Sequence, residues 1–406
     1  MTATTAPDIA AAQFATKLAR LLHRYGAPAH RLEEAMELVA HRLGVEGQFF
    51  ATPTAVFASL GKGEDQRTYL LRTEPADVDL GKLAMLDGVI GEIAAGRVSV
   101  SEADSRVDAI LDTRAPYGAA LTTLCFALAS GTAARFFGGG WREIATATVI
   151  GLVIGLLALL AVRLRVIARV FEPLAATLAS IMAIGMVAYL PPSSAYIATL
   201  GGLIVLVPGL TLTIAMNELA TRHLASGTAR LSGAFVLFLS IGFGVALGTR
   251  IGSALFAKPE FVDPVALPVW TQWVALAIAP LTFAVLFKAR PSDIWAILVA
   301  GIVAFGGARL GTTVMGPELG VFLGALLVGI VGNLYARVMN RSAAVPLVPG
   351  IMLLVPGGIG FKSLSSLLAG DVVSSVETIF LMTLIAIALV TGLLVANVVL
   401  PPGRAL

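Results

Sequence analysis

The stretch VLVPGLTLTIAMNEL, Val205 to Leu219, decides how this chain folds. It is apolar enough to sit in a lipid bilayer, yet Pro208 and Gly209 fall in its middle and Asn217-Glu218 close its end. Proline removes one backbone donor from a helix and frees a carbonyl. In hydrocarbon such a group is tolerated only where protein, water or a solute satisfies it again. The break therefore matters only if the surroundings are membrane, and composition says that they are: 57% of the 406 residues are hydrophobic, 13% are charged and the mean hydropathy is +0.89, well outside the globular range.

The charges divide the chain in two. Residues 1–116 hold 12 of the 28 Lys and Arg and 16 of the 25 Asp and Glu, a net charge of −4, which leaves +7 for residues 117–406. The first region reads as a soluble-type unit and the second as membrane. Basic residues in an apolar region orient loops, and no interleaving of aromatic and basic residues points to nucleic acid. MTATTAPDIAAAQFATKLARLLHRYG has no basic start followed by an apolar core, so no secretory signal is expected and the N-terminus is placed in the cytoplasm. Cys125 is the only cysteine, which excludes an intrachain disulfide and a thiolate metal cluster, and no histidine cluster implies a metal or cofactor.

In the first region, apolar spacing predicts helices from about Phe14 to Leu22 and from Pro28 to Leu43, stopped by Gly26 and Gly44. QFFATPTAVFASLG and QRTYLLRT flank the turn-like GKGED and predict a β-hairpin. Two helices follow, one capped by Asp79 and reaching about Ala95, the other opened by a Ser101 and Asp104 capping box and ending near Asp112. This is a small α+β domain.

From Tyr117 onward, about ten apolar stretches of bilayer length recur, centred near Ala127, Ile154, Ile181, Val205, Leu239, Ala277, Ile302, Leu326, Leu354 and Ala388. With the N-terminus inside, the inner loops carry ten basic residues, Arg404 among them, and the outer side six, Lys258 among them; this bias places both termini in the cytoplasm. LVPG recurs three times: Leu206 to Gly209 in the fourth stretch, and Leu347 to Gly350 and Leu354 to Gly357 in the ninth. The fourth and ninth are five apart. Tandem five-span units, 117–256 and 257–406, would lie inverted because five is odd, and broken helices at corresponding places of inverted repeats point to a transporter's binding site. Half-helix ends at Pro208-Gly209, Pro349-Gly350 and Pro356-Gly357 would offer NH groups to a carboxylate and carbonyls to an ammonium. An amino acid carries both. The alternative for any one such motif is a plain kink.

The other polar residues sort by the same physics. Glu218, near the inner end of its helix, is a candidate proton or ammonium site, against the alternative of a solvated helix end pairing with Arg222. Asp371 is its counterpart in the second half or a loop cap, and Asn333 is a substrate contact or a bond between helices. Lys362 is a partner for a carboxylate or a side chain that snorkels to the interface. His30, Arg31, Glu33 and Glu34 lack a nucleophile elbow, a metal-spaced His pair or a phosphate loop, so they read as a helix face. The first region is expected to regulate or gate the cytoplasmic mouth.

The chain resembles the threonine/serine exporter family, ThrE type, over about Ala15 to Leu400. In the first region the resemblance rests on LLHRYGAPAHRLEEAMELVAHRLGV, through Gly26, Ala27, Arg31 and Glu33, and on DLGKLAMLDGVIGEIAAGRVSVSEADSRVDAIL. In the membrane it rests on VPGLTLTIAMNELATRHLASGTARL and VPLVPGIMLLVPGGIGFKSLSSLLAGD. The resemblance implies a cytoplasmic domain joined to about ten spans in two five-span halves, and proton-coupled export of small hydrophilic amino acids; relatives of the halves imply dicarboxylates as the alternative. Asn217-Glu218 stands where an acid is expected in that family. An intramembrane hydrolase is disfavoured, because only His223 lies beyond residue 116. A passive channel or scaffold would need no titrating acid. The expectation is an all-α integral membrane transporter with an N-terminal α+β domain in the bacterial cytoplasmic (inner) membrane, its partners an amino acid, protons and lipid. It has no nucleic-acid partner and no enzymatic activity, and homo-oligomerisation is left open.

Overall fold

Alanine and leucine at three- and four-residue spacing wind α1 (Ile9–Arg24) and α2 (Ala29–Arg42) into a hairpin. Gly26 makes the turn at φ +92, and a Cβ there would lie 2.9 Å from Val78 Cγ2, so both backbone and space call for glycine. The computed structural model describes residues 9–74, 78–256, 264–355, 357–368 and 370–403. Pro356, Lys258 and Arg404, singled out above, lie outside the described residues.

Three antiparallel strands follow, β1 (Gly47–Thr52), β2 (Ala55–Leu60) and β3 (Arg67–Arg72), in the order β1-β2-β3. QFFATPTAVFASLG, expected as one arm of a hairpin, itself folds back at Pro53-Thr54, because proline cannot donate to a ladder from inside a strand. Next come α3 (Leu80–Ala94) and α4 (Val100–Leu111). Asp79 caps α3, accepting from Lys82 N at 2.9 Å. Helix α4 is capped by Ser99, whose Oγ accepts from Glu102 N at 3.3 Å, rather than by the expected Ser101. Ser99 and Glu102 have the same three-residue spacing, and the chain is still extended at Ser99. Leu18, Leu22, Leu32, Met36, Val56, Leu86 and Val107 close one core across these elements.

The apolar region is helical throughout: α5 (Ala119–Phe136), α6 (Trp141–Arg163), the short α7 (Arg165–Arg169), α8 (Phe171–Tyr189), α9 (Ala195–Leu203), α10 (Gly209–Ala220), α11 (Leu224–Phe256), α12 (Trp270–Leu286), α13 (Ile294–Met315), α14 (Pro317–Met339), α15 (Ala344–Met352), α16 (Gly357–Leu368) and α17 (Val372–Val399). Among the described residues, eight helical segments are long and apolar enough to cross a membrane. The expected count was about ten. The difference is physical: the fourth stretch is split by its Val-Pro-Gly into α9 and α10, and α12 has 17 residues. Glycines let the helices approach closely. A Cβ at Gly244 or Gly248 of α11 would lie 2.4 Å from a carbonyl oxygen of α8, and one at Gly392 of α17 would lie 2.5 Å from Phe322 O of α14.

One expectation is corrected. Pro349-Gly350 does not break a helix; α15 runs through it from Ala344 to Met352. Gly350 serves packing instead, since a Cβ there would meet Val328 Cγ2 at 2.5 Å and Ala300 Cβ at 3.3 Å. The chain leaves the helix only at the second copy, between α15 and α16. The two actual breaks face each other: a Cβ on Gly209 would lie 2.4 Å from Val355 Cγ1, and one on Gly357 would lie 2.8 Å from Val207 Cγ1.

Candidate functional site

Beside these facing breaks lies a cavity of about 120 Å³, room for several waters or one small solute. Its walls come from the α1–α2 turn, the start of α2, α3, α10, α14, α15 and α17. Most of the lining is apolar, with a few polar groups set into it, the usual make-up of a small-molecule site. Four of the residues singled out in the sequence meet here: Gly26, Arg31, Asn217 and Asn333. His30 joins them. The Asn217 amide nitrogen lies 3.4 Å from His30 Nε2, and both Asn217 Oδ1 and His30 Nδ1 are buried without a partner. Burial, reinforced by Arg31, His223 and Arg230, pushes the His30 pKa down to about 3. The ring is therefore neutral, and with Nε2 accepting from Asn217 its proton sits on Nδ1. Asn333 donates to Asn397 Oδ1 at 2.9 Å and to Leu400 O at 2.7 Å, so it ties α14 to α17 while lining the cavity.

Next to the cavity, past Asn217 and His30, runs a polar seam between the N-terminal elements and α10 and α11. Helix α2 starts after Pro28, which has no side chain to cap it. Glu218 supplies the cap from across the seam, its Oε1 accepting from Ala29 N at 2.9 Å. The same carboxylate, 0% exposed, accepts from Ser226 Oγ at 2.7 Å and from Arg230 Nε at 3.1 Å on each oxygen. Its partner is thus Arg230, not Arg222, which is exposed at φ 66. A Cβ on Gly227 would meet Leu219 Cγ at 2.7 Å, so glycine lets α10 and α11 close around the pair. Glu33 makes the next link, accepting from Ala51 N of β1 at 2.7 Å and facing His223 Nε2 at 3.2 Å. Burial holds the Glu33 carboxyl above its ordinary range, with Ala51 and His223 pulling the other way. On the other side of the seam, Leu80 N at the start of α3 donates to Phe287 O at 2.9 Å.

The remaining residues lie elsewhere. Lys362 is exposed on α16. Asp371 caps α17, accepting from Ser374 N at 3.0 Å and Ser374 Oγ at 2.6 Å, and Ser374 holds its carboxyl below the ordinary range. Pro208, Gly209, Gly350 and Gly357 shape the breaks and close packing next to the cavity without lining it. Sequence reasoning missed Ser226, His223 and Arg230, and it set His30 aside. The available signal was Arg230, a basic residue inside an apolar helix twelve residues after an acid. It also missed two buried acids, Glu143 (2% exposed) and Asp293 (1%), which stand 150 residues apart after similar turns, Phe137-Gly138-Gly139 and Phe287-Lys288-Ala289. Glu143 accepts from Gly140 N at 2.8 Å and Ser194 N at 2.7 Å, whereas Asp293 pairs with Arg341 and accepts from Tyr335 Oη at 3.1 Å. Among the described residues no group of three or more His, Cys, Asp or Glu could hold a metal.

Long apolar helices, a helix interrupted at each of two facing Val-Pro-Gly breaks and a polar-studded cavity beside them are the features of a multi-pass membrane protein that moves small solutes. Comparison with known families identifies which kind. Residues 13–252 match the family described as "Putative threonine/serine exporter", and residues 272–399 match "Threonine/Serine exporter, ThrE". The chain belongs to the threonine/serine exporter family. Among curated proteins it is similar to pheromone-regulated membrane protein 10 of Eremothecium gossypii, 27% identical over 362 residues, 86% of this chain and 48% of that one. It is likewise similar to the proteins of that name in Candida albicans (28% over 372 residues, 88% and 33%) and Saccharomyces cerevisiae (27% over 387 residues, 90% and 49%). The chain spans less than half the length of these relatives. No solved structure matches it.

Proposed function

We propose that this protein is a secondary transporter that exports small hydrophilic amino acids of the threonine and serine type, driven by the proton gradient. Residues 117–256 and 257–406 are two inverted five-span repeats, each with its fourth span broken, and residues 1–116 form a cytoplasmic domain. Both termini lie on the cytoplasmic side of the cell's cytoplasmic membrane. Two correspondences support the repeat: the reciprocal fit of Val207 on Gly357 and Val355 on Gly209, and the matching turns that lead to Glu143 and Asp293.

The observation that carries the reading is the cavity beside the breaks. Its lining offers one guanidinium, Arg31, several amides and hydroxyls, and among the described residues no carboxylate. A zwitterion with a short polar side chain suits that set: Arg31 takes the carboxylate, and Asn217 Oδ1 is an unspent acceptor for an ammonium or hydroxyl. A dicarboxylate would bring two negative charges to one cation. The test is efflux of preloaded labelled threonine, serine and succinate from cells with and without the protein, with a protonophore control. Amino-acid efflux that collapses with the gradient, and falls by about tenfold in Asn217→Ala for loss of one buried polar contact, is the expected result. Succinate efflux alone would move the substrate to dicarboxylates, and no efflux of the three would overturn the reading.

A further inference from the structure

We propose that a crevice between α5, α6 and α12, at the ends of these helices away from the N-terminal elements, binds one anionic phospholipid, with its phosphate on Arg135 and an acyl chain below. The inference does not depend on the identity of the transported solute. The crevice holds a cavity of about 170 Å³, separate from the one beside the Val-Pro-Gly breaks. Its level in the membrane follows from α12. Phe287, the residue after this helix, accepts from Leu80 N of the N-terminal elements. Trp270 starts the helix 17 residues earlier, about 26 Å away at 1.5 Å per residue, close to a hydrocarbon core of about 30 Å. The mouth of the crevice therefore lies at the opposite lipid interface. Trp141 and Trp270, each 58% exposed at the start of its helix, flank it with ring centroids 6.4 Å apart, and indole rings collect at that level of a bilayer.

The crevice is amphiphilic along its length. At the mouth, Arg135 in the last turn of α5 donates through Nε to Thr271 Oγ1 of α12 at 2.6 Å. Thr271 is buried, so this bond draws the guanidinium across the mouth toward α12 rather than outward into water. Among the described residues no carboxylate pairs with Arg135 and no acceptor takes its Nη groups. Deeper, the lining is Leu128, Ile144, Val274, Ala275 and Ile278. The two hydroxyls among them are spent within their own helices, Thr132 Oγ1 on Ala129 O at 2.9 Å and Thr148 Oγ1 on Ile144 O at 2.7 Å. Leu128 lies seven residues before Arg135 and Ile278 eight after Trp270, so the apolar slot reaches about 10–12 Å below the mouth. A guanidinium over a slot of that depth matches an anionic lipid, whose phosphate takes the Nη donors while its chain fills the slot. A soluble anion would make no use of the slot, and phosphatidylcholine would bring a second cation beside Arg135.

The experiment uses the full chain in a mild non-ionic detergent, supplied with equal amounts of phosphatidylglycerol and phosphatidylcholine, and native mass spectrometry counts the lipids that stay bound. One phosphatidylglycerol per protein should remain, favoured about tenfold or more over phosphatidylcholine, as for one charge-assisted bidentate contact. Arg135→Gln should lower that retention about tenfold, and Arg135→Lys should restore part of it. Arg142→Gln, at the same end of the helices but bonded to Pro192 O and outside the crevice, should leave it unchanged. Val274→Phe fills the slot and should displace the lipid with Arg135 in place, so the test stands if Arg135→Gln folds poorly. Equal retention of the two lipids by the native chain, or unchanged retention in Arg135→Gln, would overturn the proposal. So would displacement of the lipid by excess glycerol 3-phosphate, which carries the phosphate without chains and would make the crevice a soluble-anion site.

Discussion

Replacing Glu218 by alanine tests the seam most directly. In the native protein this one carboxylate serves three donors, Ala29 N, Ser226 Oγ and Arg230 Nε, and it is 0% exposed. Glu218→Ala leaves Arg230 beside an emptied site and returns α2 to an uncapped start. Breaking a buried pair by removing one partner costs about 3–5 kcal/mol, and because Arg230 keeps some solvent contact the lower end applies, about 3 kcal/mol. Glu218→Gln retains an oxygen for Ala29 N but faces Ser226 and Arg230 with a neutral group, a loss of about 2 kcal/mol. Since 1.4 kcal/mol is a factor of ten, the alanine variant should detach the start of α2 from α10 and α11 about a hundredfold more often.

Hydrogen exchange in nanodiscs reads this out locally. The amides of Ala29 to Leu32 should exchange about a hundredfold faster in Glu218→Ala, while those of α1 keep their protection, because the core of Leu18, Leu22, Leu32 and Met36 does not include Glu218. Combining Glu218→Ala with Arg230→Ala should cost less than the sum of the two, the signature of a direct pair. Unchanged exchange at Ala29 to Leu32 in a folded alanine variant would refute the assignment of Glu218 as the cap of α2. Uniform acceleration across the chain would refute its being local.

Three further outcomes are expected. Gly209→Ala places a methyl 2.4 Å from Val355 Cγ1 and should lower stability by about 1–3 kcal/mol through overpacking, measured as a drop in Tm; Val355→Ala in the same protein should recover most of it. His30, whose pKa burial lowers from the ordinary 6.5 to about 3, binds fewer protons docked than undocked; docking should therefore be fully stable above about pH 6.5 and weaken as pH falls, by up to about 1.4 kcal/mol per unit, and protease sensitivity of the α1–α2 turn at pH 5 against pH 7 should show this in the native protein and not in His30→Asn. Asp371→Asn removes part of an exposed cap and should leave both protein level and export unchanged; a large loss of export at normal protein level would return Asp371 to the transport path.

Apolar length and the positions of Val-Pro-Gly made most of the architecture legible, because bilayer thickness and the missing proline donor act locally along the chain. Two misreadings show where that locality ends. Pro349-Gly350 carries the same letters as Pro208-Gly209, but whether such a pair breaks a helix depends on what the glycine faces: Gly350 faces Val328 and Ala300 and holds α15 against its neighbours. Glu218 is nine residues past its break, and its nearest basic residue in sequence is Arg222, yet the turn at Arg222 carries that side chain outward and brings Arg230 back beside the acid. Long-range burial of this sort leaves no periodic trace. The cavity was half legible: Gly26, Arg31, Asn217 and Asn333 each stood out, but nothing in a one-dimensional reading says that a turn of the N-terminal elements reaches α14 and α17.

The seam and the breaks act on one element. Helix α10 has 12 residues, about 18 Å, too short to bend appreciably and without an internal proline. At its start Gly209 is pressed against Val355 of the opposite break; near its end Glu218 holds α2, β1 is linked through Glu33 and His223, and Thr213 and Asn217 face the cavity between. A rigid helix fixed at both ends can move only by releasing one of them. The contact at Glu218 reaches the N-terminal elements, whereas the contact at Gly209 reaches the opposite break, where Val207 sits on Gly357 as Val355 sits on Gly209. The same helix thus joins a polar, hydrogen-bonded contact at one end with an apolar, close-packed contact at the other, and the two ends of α10 are held by independent interactions.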